Sequence, residues 1–358
     1  MELACRPDFA AVRQRWDAFW RGEARRPLIQ LIVPKDGVTV VEKPRYLSGA
    51  QGDFAPVVEQ VTGWADSHLF LGDAVPFYYL EFGPDHFSSL LGCELSFDPS
   101  RPDTSWAVHC VEDLEQADIR FRPDGPWWQR TVGFIRALRA QLDGRILIAA
   151  PTLTANLDAL VALMGAEPLM QELAERPAVV VRALEAVDAA YGEILEALAA
   201  ELDMTRWGSI TRHGMYSTGR TTVPQCDCSC MFSPAMFRRF ALPALRKEMA
   251  RLDAVEYHLD GSGAIKHLES LCGIDRLGVI QWVPGAGDGA KRDWSELHDR
   301  IDALGKGQFM GGDLSRVERL WCTYRSRQLF FHISARDRVE AESVVAAVER
   351  LELVTKPG

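Results

Sequence analysis

Hydrophobic residues recur along this chain with two periods, which predict helices and strands in alternation. Near the N-terminus, large apolar side chains return every three or four positions, which predicts an N-terminal amphipathic helix over about residues 8–21. A largely apolar run over 28–33 follows and is closed by Pro34, as is typical of a strand buried on both faces. A second apolar run, 68–73, predicts another short strand.

From about residue 126 onward the alternation becomes regular. Short apolar runs separate the predicted helices, and Ser233-Pro234 provides the cap and the first residue of one of them. The other predicted helices cover 127–142, 156–174, 177–201, 262–271, 294–304, 314–324 and 340–353. Counting the whole chain, we predict strands near residues 29, 69, 147, 205, 256, 280, 309 and 331.

Strands that alternate with helices predict a parallel sheet with helical crossovers. Eight such units in one chain favour a TIM barrel, an α/β fold of the (β/α)8 type, formed as a single domain over residues 1–358. The alternative is an open, doubly wound sheet. No Gly-x-Gly-x-x-Gly opens a helix after a predicted strand, so the dinucleotide-binding form of that alternative lacks its fingerprint.

Segment 34–126 departs from this regular alternation. It is dense in Gly, Pro and Asp, among which aromatic residues cluster, for example at 76–79 and 82–87. Because aromatic side chains bury large surfaces, we expect this segment to pack against the rest of the protein. The pattern predicts a loop-rich aromatic insertion that lies over one face of the barrel.

The amino-acid composition and the net charge exclude several classes of protein and of partner. Hydrophobic residues make up 47% and charged residues 25% of the chain, which excludes a disordered or collagen-like protein. The net charge of −10 argues against nucleic acid as a partner, and no apolar run is long enough to span a bilayer, so we expect no membrane partner. The N-terminus lacks the basic and apolar regions of a secretory signal, and the eight cysteines are sparse, so we expect a cytoplasmic protein.

In a barrel, the active site lies where the strands end at their carboxyl side. His258 and Asp260 lie two residues apart at such an end, so their side chains point to the same face. The last predicted strand ends near His332. Imidazole and carboxylate both bind Zn²⁺, and we therefore predict a zinc site formed by His258, Asp260 and His332, at neighbouring strand ends. The alternative is that each histidine is an ordinary residue of the core or rim.

Three cysteines, Cys226, Cys228 and Cys230, precede the helix cap at Ser233. Thiolates near a helix N-terminus have lowered pKa values and bind soft metals. Their spacing differs from the Cys-x-x-Cys of structural zinc sites, so we favour unligated loop thiols over metal ligands. Asp227, between them, is a candidate catalytic residue at the same mouth.

Further candidates lie in two other segments. The loop 211–220 is rich in hydrogen-bonding groups, and arginines hold carboxylates by paired hydrogen bonds. We assign Arg212 a catalytic role and expect a small-molecule substrate to contact five further residues: Arg206, Tyr216, Arg220, Gln281 and Trp282. The alternatives are a solvated loop and, for Trp282, an ordinary place in the core.

Several of these segments resemble members of the uroporphyrinogen decarboxylase-like superfamily. The resemblance rests on the run from Tyr257-His258-Leu259-Asp260-Gly261 to 268, on Ile280-Gln281-Trp282-Val283-Pro284, on Gln225-Cys226-Asp227 and on Ser233-Pro234-Ala235-Met236-Phe237. It covers about residues 28–353 and implies a TIM barrel. The Arg-Gln-Ala-Gly-Arg-Tyr motif of the true decarboxylases is absent after the first predicted strand, where residues 32–37 read Ile-Val-Pro-Lys-Asp-Gly. Decarboxylation of uroporphyrinogen is therefore not expected.

A second branch of that superfamily, the corrinoid and coenzyme M type methyltransferases, binds zinc through His-x-Cys-Gly and a later Cys. Here His258-x-Asp260-Gly261 and His332 stand in similar places, with carboxylate and imidazole in place of sulfur. The resemblance implies a metal-dependent methyltransferase in which Zn²⁺ activates a thiol acceptor and a corrinoid arrives on a separate protein. The alternatives are a decarboxylase or lyase that uses Asp260, Asp227 and arginines, and a barrel that binds a tetrapyrrole or corrinoid without turnover.

Overall fold

A mostly parallel sheet surrounded by helices forms the centre of the fold. The computed structural model describes residues 2–101, 104–285 and 287–353. The strands are β1 Leu28–Pro34, β2 His68–Gly72, β3 Phe77–Tyr79, β4 Glu94–Ser96, β5 Trp106–Val108, β6 Leu147–Ala149, β7 Ser209–Ile210, β8 Tyr216–Ser217, β9 Thr221–Thr222, β10 Ala254–Asp260, β11 Val279–Val283, β12 Gly307–Gly311 and β13 Leu329–His332.

The helices are α1 Phe9–Trp20, α2 Ala55–Ser67, α3 His86–Leu90, α4 Pro126–Leu142, α5 Asn156–Met164, α6 Ala166–Glu175, α7 Pro177–Glu201, α8 Met204–Trp207, α9 Pro234–Met236, α10 Leu242–Ala250, α11 Leu268–Cys272, α12 Ser295–Ala303, α13 Leu314–Thr323 and α14 Arg338–Glu349. A π-helical turn, Phe237–Ala241, joins α9 to α10. Shorter 3-10 turns cover Tyr46–Gly49, Asp227–Met231, Ser262–His267, Gly287–Lys291 and Arg350–Leu353.

The main sheet has the strand order β2-β1-β13-β12-β11-β10-β9. Neighbours from β1 to β9 in this order run parallel, whereas β2 pairs antiparallel with β1. Three two-stranded sheets accompany it: β3 with β6 in parallel, β4 with β5 and β7 with β8 in antiparallel. Over the described residues, the paired strands do not close into a ring. The parallel strands place their carboxyl ends at one edge of the sheet.

Most predicted strands are confirmed, and two need correction. The run near 69 forms β2, but it is an antiparallel neighbour of β1 rather than part of a parallel strand–helix unit. The run near 205 is the helical turn α8, and the strand β7 follows it. Met204 and Trp207 are both buried and lie three positions apart. This spacing puts them on the same face of a helical turn, so the segment fits a helix as well as a strand.

Segment 34–126 contains more regular structure than its composition predicts. It holds α2, α3 and β2–β5. Its aromatic residues are buried as expected; Tyr78, Phe82 and Phe87 are fully enclosed. Strand β3 pairs with β6, so part of this segment extends the strand framework instead of lying over it.

The amino ends of the parallel strands are covered by α1. Its apolar face, Phe9, Val12, Trp16 and Phe19, is fully buried, and the Trp16 ring packs edge-on against Phe330 of β13 with centroids 4.8 Å apart. This confirms the N-terminal amphipathic helix. It also leaves the carboxyl ends as the open side of the sheet.

A buried ion pair fixes the start of β1. Asp73 is fully enclosed and accepts hydrogen bonds from Arg26 Nη1 at 2.7 Å, from Arg15 Nε at 2.5 Å and from the Ile29 backbone at 3.0 Å. Burial alone would raise the pKa of Asp73, but the two guanidinium groups hold that pKa below its usual value. The network ties α1, β1 and the end of β2 together.

Two more features bear on the sequence predictions. The helix predicted over 156–174 divides into α5 and α6 at Gly165, whose φ of 97° belongs to a region that residues with a side chain rarely adopt. Within the described ranges, none of the helices combines the length and the apolar character that crossing a membrane requires.

Candidate functional site

Polar side chains from many strand ends meet at the carboxyl edge of the sheet. We call this set the polar centre: Gln30, Tyr79, Glu81, Thr152, Arg212, His213, Gln225, Asp227, Glu256, His258, Asp260, Gln281 and His332. Its members lie on or just after β1, β3, β6, β7, β9, β10, β11 and β13. Direct hydrogen bonds link these strands even where their backbones do not pair.

Arg212 joins three of the strand ends. Its guanidinium donates to Thr152 Oγ1 at 3.2 Å, to Gln225 Oε1 at 3.1 Å and to His213 Nε2 at 3.3 Å. These partners follow β6, β9 and β7. The one guanidinium in the polar centre therefore has a fixed position, from which its charge acts on Glu81, Asp227 and Asp260. This placement agrees with its selection from the sequence.

His213 forms a close pair with Glu256. Its Nδ1 lies 2.6 Å from Glu256 Oε1, and the Glu256 carboxyl is fully buried. Because Arg212 donates to Nε2, the imidazole proton sits on Nδ1 and is donated to Glu256. Burial alone would raise the pKa of Glu256, but His213 brings that pKa below its usual value. The ring also stacks on Phe309, with centroids 5.4 Å apart, and on His258 at 6.2 Å.

The sequence predictions do not include His213 and Glu256. A signal was present, since Glu256 interrupts the otherwise apolar start of β10. A carboxylate inside a buried strand requires a partner, so it indicates a functional or structural pair. The partner could not be identified without the contacts between segments.

His258 is held in one tautomer by Gln281. The two residues lie directly opposite each other on β10 and β11, and His258 Nδ1 is hydrogen-bonded to Gln281 Oε1. Gln281 Nε2 donates to the Trp282 carbonyl at 3.4 Å, so its Oε1 is the acceptor for the His258 proton. Burial lowers the pKa of His258 to about 3. The neutral ring thus has its lone pair on Nε2, the form in which histidine binds metals.

Asp227 carries a protonated carboxyl at neutral pH. Its Oδ2 accepts a hydrogen bond from Gln225 Nε2 at 2.8 Å, while Oδ1 is buried without a hydrogen-bond partner among the described residues. Burial, together with the nearby carboxyls of Asp158 and Asp260, raises the pKa of Asp227 to about 8. The group can therefore give a proton to a bound molecule.

Glu81 is a second buried carboxyl with a pKa near neutrality. It accepts a hydrogen bond from the Thr152 backbone at 3.0 Å, and Thr152 Oγ1 lies 2.8 Å from the Tyr79 hydroxyl. Burial raises the pKa of Glu81 to about 7, against the opposing charge of Arg212. Groups that titrate near the working pH are suited to general acid–base chemistry. Glu81 is not among the site residues predicted from the sequence, because segment 34–126 is predicted to be an insertion.

In the described ranges, the three predicted zinc ligands do not form a group whose ligand atoms all lie within 4.8 Å of one another. Asp260 is half-buried, which raises its pKa, and His332 lies at the rim with Nδ1 3.4 Å from Gln30 Nε2. The expectation that β10 and β13 are neighbours is wrong, since β11 and β12 lie between them. At about 4.8 Å for each strand spacing, the backbones of Asp260 and His332 are roughly 14 Å apart along the sheet.

A different group of metal-binding side chains does come together. In the described ranges, the group whose ligand atoms all lie within 4.8 Å of one another is Asp158, Cys226 and Cys228. Cys226 and Cys228 are buried and Cys230 is exposed. Asp158 was not selected from the sequence, since nothing in α5 alone indicates that its carboxyl faces the cysteine loop.

Three of the predicted substrate residues lie away from the polar centre. Arg206 pairs with Asp143 at 3.5 Å, and Arg220 pairs with Glu196 at 2.7 Å just before β9, at the amino side of the sheet. Tyr216 is fully buried against Phe9 of α1, and its hydroxyl donates to the Trp207 carbonyl at 2.8 Å. These contacts are structural.

Trp282 follows Gln281 on β11, so its ring lies on the opposite face of the sheet from the Gln281 side chain. Its ring packs against Trp294 with centroids 4.9 Å apart, and its buried Nε1 has no hydrogen-bond partner among the described residues. It lines a cavity of about 680 Å³ between the ends of β11 and β12 and the helices α12 and α13. Gln281 lines the same cavity, so the cavity and His258 are connected through one side chain.

Comparison with known proteins gives a similarity of fold. No family model and no curated protein matches the sequence. Among solved structures, the chain is similar to a methyltransferase from Methanosarcina mazei, with a TM-score of 0.57 and 11% sequence identity. The match covers 95% of this chain and 98% of that chain. At this identity the similarity is one of architecture, and it extends over nearly the whole of both molecules. The protein therefore has a fold similar to that of this structure.

Proposed function

We propose that the protein is a metal-dependent methyltransferase and that the polar centre is its active site. The orientation of His258 carries the proposal, because a neutral imidazole with its Nδ1 proton held by Gln281 leaves Nε2 free for a metal. The similarity in fold to the Methanosarcina mazei methyltransferase, over 95% of this chain, supports it. The donor is a corrinoid on a separate protein or another methyl donor, the acceptor is a small-molecule thiol, and the reaction takes place in the cytoplasm.

The same proposal assigns the chain to the uroporphyrinogen decarboxylase-like superfamily as one TIM-barrel domain. Strands β3, β6 and β7 would fill the gap between β2 and β9, the two edges of the main sheet, and close the barrel. Hydrogen bonds within the polar centre support this closure: Gln30 Nε2 on β1 donates to the His213 carbonyl at 2.9 Å, and Arg212 then connects to Thr152 and Tyr79. A polar layer that links the ends of all these strands is what a barrel mouth provides.

The residues present fit a divalent cation in part. His258 and Asp260 lie two apart on β10 and offer nitrogen and oxygen to one face, and Gln281 supplies the orienting contact that metal-bound histidines usually have. His332 would complete the set only by a movement of its exposed side chain. A bound Zn²⁺ would supply Lewis acidity that lowers the pKa of a thiol acceptor.

The protein's own groups have separate roles in this proposal. Arg212, fixed by three hydrogen bonds, binds an anionic group of the substrate. Asp227, with its pKa raised to about 8, holds a proton beside that site. Gln281 keeps His258 in place, and Trp282 provides an aromatic wall of the adjoining cavity.

One observation favours a second candidate, a decarboxylase or related lyase. Such an enzyme needs a cation to bind the substrate carboxylate and an acid to protonate the carbon that loses it. Arg212 lies beside the protonated carboxyl of Asp227, through Gln225. The two candidates differ in product, one giving a methylated thiol and the other CO2.

The test is an anaerobic incubation of zinc-loaded protein with methylcobalamin and a panel of small thiols, with thioether and CO2 both measured. We expect thioether formation above the rate of free zinc and thiol, lost in His258→Ala. The matched control is His109→Ala, which changes an exposed histidine that is far from His258 in the sequence. It should keep the wild-type rate of thioether formation. Equal rates in wild type and His258→Ala would contradict the proposal. CO2 released from a carboxylated substrate without methyl transfer would favour the lyase.

A further inference from the structure

A second candidate metal site lies beneath the polar centre. Cys226 Sγ and Cys228 Sγ are 3.8 Å apart, and the Asp158 carboxylate completes a group with all ligand atoms within 4.8 Å. We call these three residues the thiol–carboxylate cluster. All three are at most 9% exposed, and none belongs to the set around His258.

The spacing of the sulfurs matches a tetrahedral metal. Two Zn–S bonds of about 2.3 Å that meet at a tetrahedral angle separate their sulfurs by about 3.8 Å. A disulfide would instead bring the sulfurs to about 2.0 Å. The two thiols, which are in hydrogen-bonding contact, thus already stand at the separation that a shared cation would require.

The backbone holds the ligands in place. Asp158 accepts hydrogen bonds from the backbone of Asp227 at 2.7 Å and of Cys228 at 2.9 Å, which ties α5 to the 3-10 turn Asp227–Met231. Each carboxylate oxygen keeps a lone pair after accepting one such bond. The cluster is therefore built before any cation arrives.

Two acidic side chains with unpartnered oxygens are buried near the thiol–carboxylate cluster. Glu248 is buried nearby; its Oε1 accepts from Asn156 at 3.0 Å, while its Oε2 has no partner among the described residues. Asp227 Oδ1 is a second buried oxygen without a hydrogen-bond partner among the described residues. A divalent cation bound in the cluster would attract these buried oxygens.

We propose that Cys226, Cys228 and Asp158 bind a divalent cation of the zinc class, in a structural site separate from the proposed catalytic one. Binding displaces the two thiol protons to solvent and forms two metal–sulfur bonds and one metal–oxygen bond. A water fills the fourth position. The site fixes the turn from which Asp227 reaches Gln225, so it acts on the polar centre by position alone.

Cobalt substitution tests the proposal on the intact chain. Metal-free, reduced protein is titrated with Co²⁺, since thiolate ligands give an intense sulfur-to-cobalt charge-transfer absorption in the near ultraviolet that nitrogen and oxygen ligands lack. We expect this absorption to saturate at one equivalent. It should disappear in Cys226→Ser and in Cys228→Ser. The affinity for Co²⁺ should also fall by more than about 100-fold, which is the upper range for losing a residue that only orients a metal ligand.

Two matched variants separate this site from the catalytic proposal. Cys230→Ser removes the exposed thiol of the same turn, and His258→Ala removes the proposed catalytic ligand; both should keep the absorption. Wild-type protein that binds Co²⁺ without charge transfer, or a Cys228→Ser variant that retains it, overturns the inference. A Cys226–Cys228 disulfide found by mass spectrometry after purification under reducing conditions would overturn it as well.

Discussion

Replacing Glu81 with glutamine should change how the stability of the protein depends on pH. Glu81 is 5% exposed, and its carboxyl lies between the Thr152 backbone and the charge of Arg212. Burial raises its pKa to about 7, from 4.5 for a free side chain. The unfolded chain therefore loses this proton at lower pH than the folded protein does.

The sign and size of the effect follow from that difference. Between pH 4.5 and about 7 the unfolded state ionises while the folded state stays protonated, so stability falls as pH rises. At about 1.4 kcal/mol for each pH unit, the loss amounts to about 3 kcal/mol. Above pH 7 both states are ionised and the loss is complete. In Glu81→Gln the carboxyl is absent, and this part of the pH dependence should vanish.

Urea unfolding followed by tryptophan fluorescence measures the effect. Wild type and Glu81→Gln should have similar stabilities near pH 4.5, and the variant should be more stable by about 3 kcal/mol at pH 8. Glu59→Gln, which removes an exposed carboxyl from α2, is the control and should follow the wild type. A difference between Glu81→Gln and wild type that is constant from pH 4.5 to 8 would refute the reasoning. So would a wild type that gains stability over Glu81→Gln as pH rises, since Arg212 would then hold an ionised Glu81.

Three further outcomes are expected. Gln281→Leu frees the His258 ring and should weaken metal binding at that residue by about 10–100-fold, as measured by competition with a chelating dye, while far-ultraviolet circular dichroism stays the same. Asp73→Asn leaves the buried guanidinium group of Arg26 and the partly exposed one of Arg15 without their counter-charge, and urea unfolding should show a loss of about 3 kcal/mol. Arg206→Ala and Arg220→Ala should leave kcat/KM of any activity unchanged, because both side chains pair with carboxylates outside the polar centre; a large loss would relocate the site.

Local sequence patterns were sufficient for the elements with strong periodicity. The apolar runs of β1 and β10–β13 and the apolar face of α1 each specify their structure within a few residues. They failed near residue 205, where a single turn of helix and a strand both fit a short apolar segment. They also failed to give the direction of β2, since an isolated run carries no information on its neighbour.

The candidate site was predictable where one segment carries it. His258 and Asp260 follow from alternation at one strand end, and Arg212 and Asp227 from their loops. Gln281 was also selected, but its contact with His258 depends on the register between two strands. Glu81 and Asp158 enter from distant segments, so only the tertiary structure brings them to Arg212 and to the cysteine turn. For the same reason, the sequence suggests Tyr216 as a substrate contact, whereas its ring is buried against Phe9 of α1.

The most direct test of the central proposal is anomalous diffraction at the zinc edge from crystals of zinc-loaded protein. The account predicts an anomalous peak about 2.0–2.1 Å from His258 Nε2, with Asp260 as a second ligand, in addition to any peak between Cys226 and Cys228. Zinc at the cysteines alone, with His258 Nε2 unliganded at saturating metal, would contradict a catalytic metal in the polar centre.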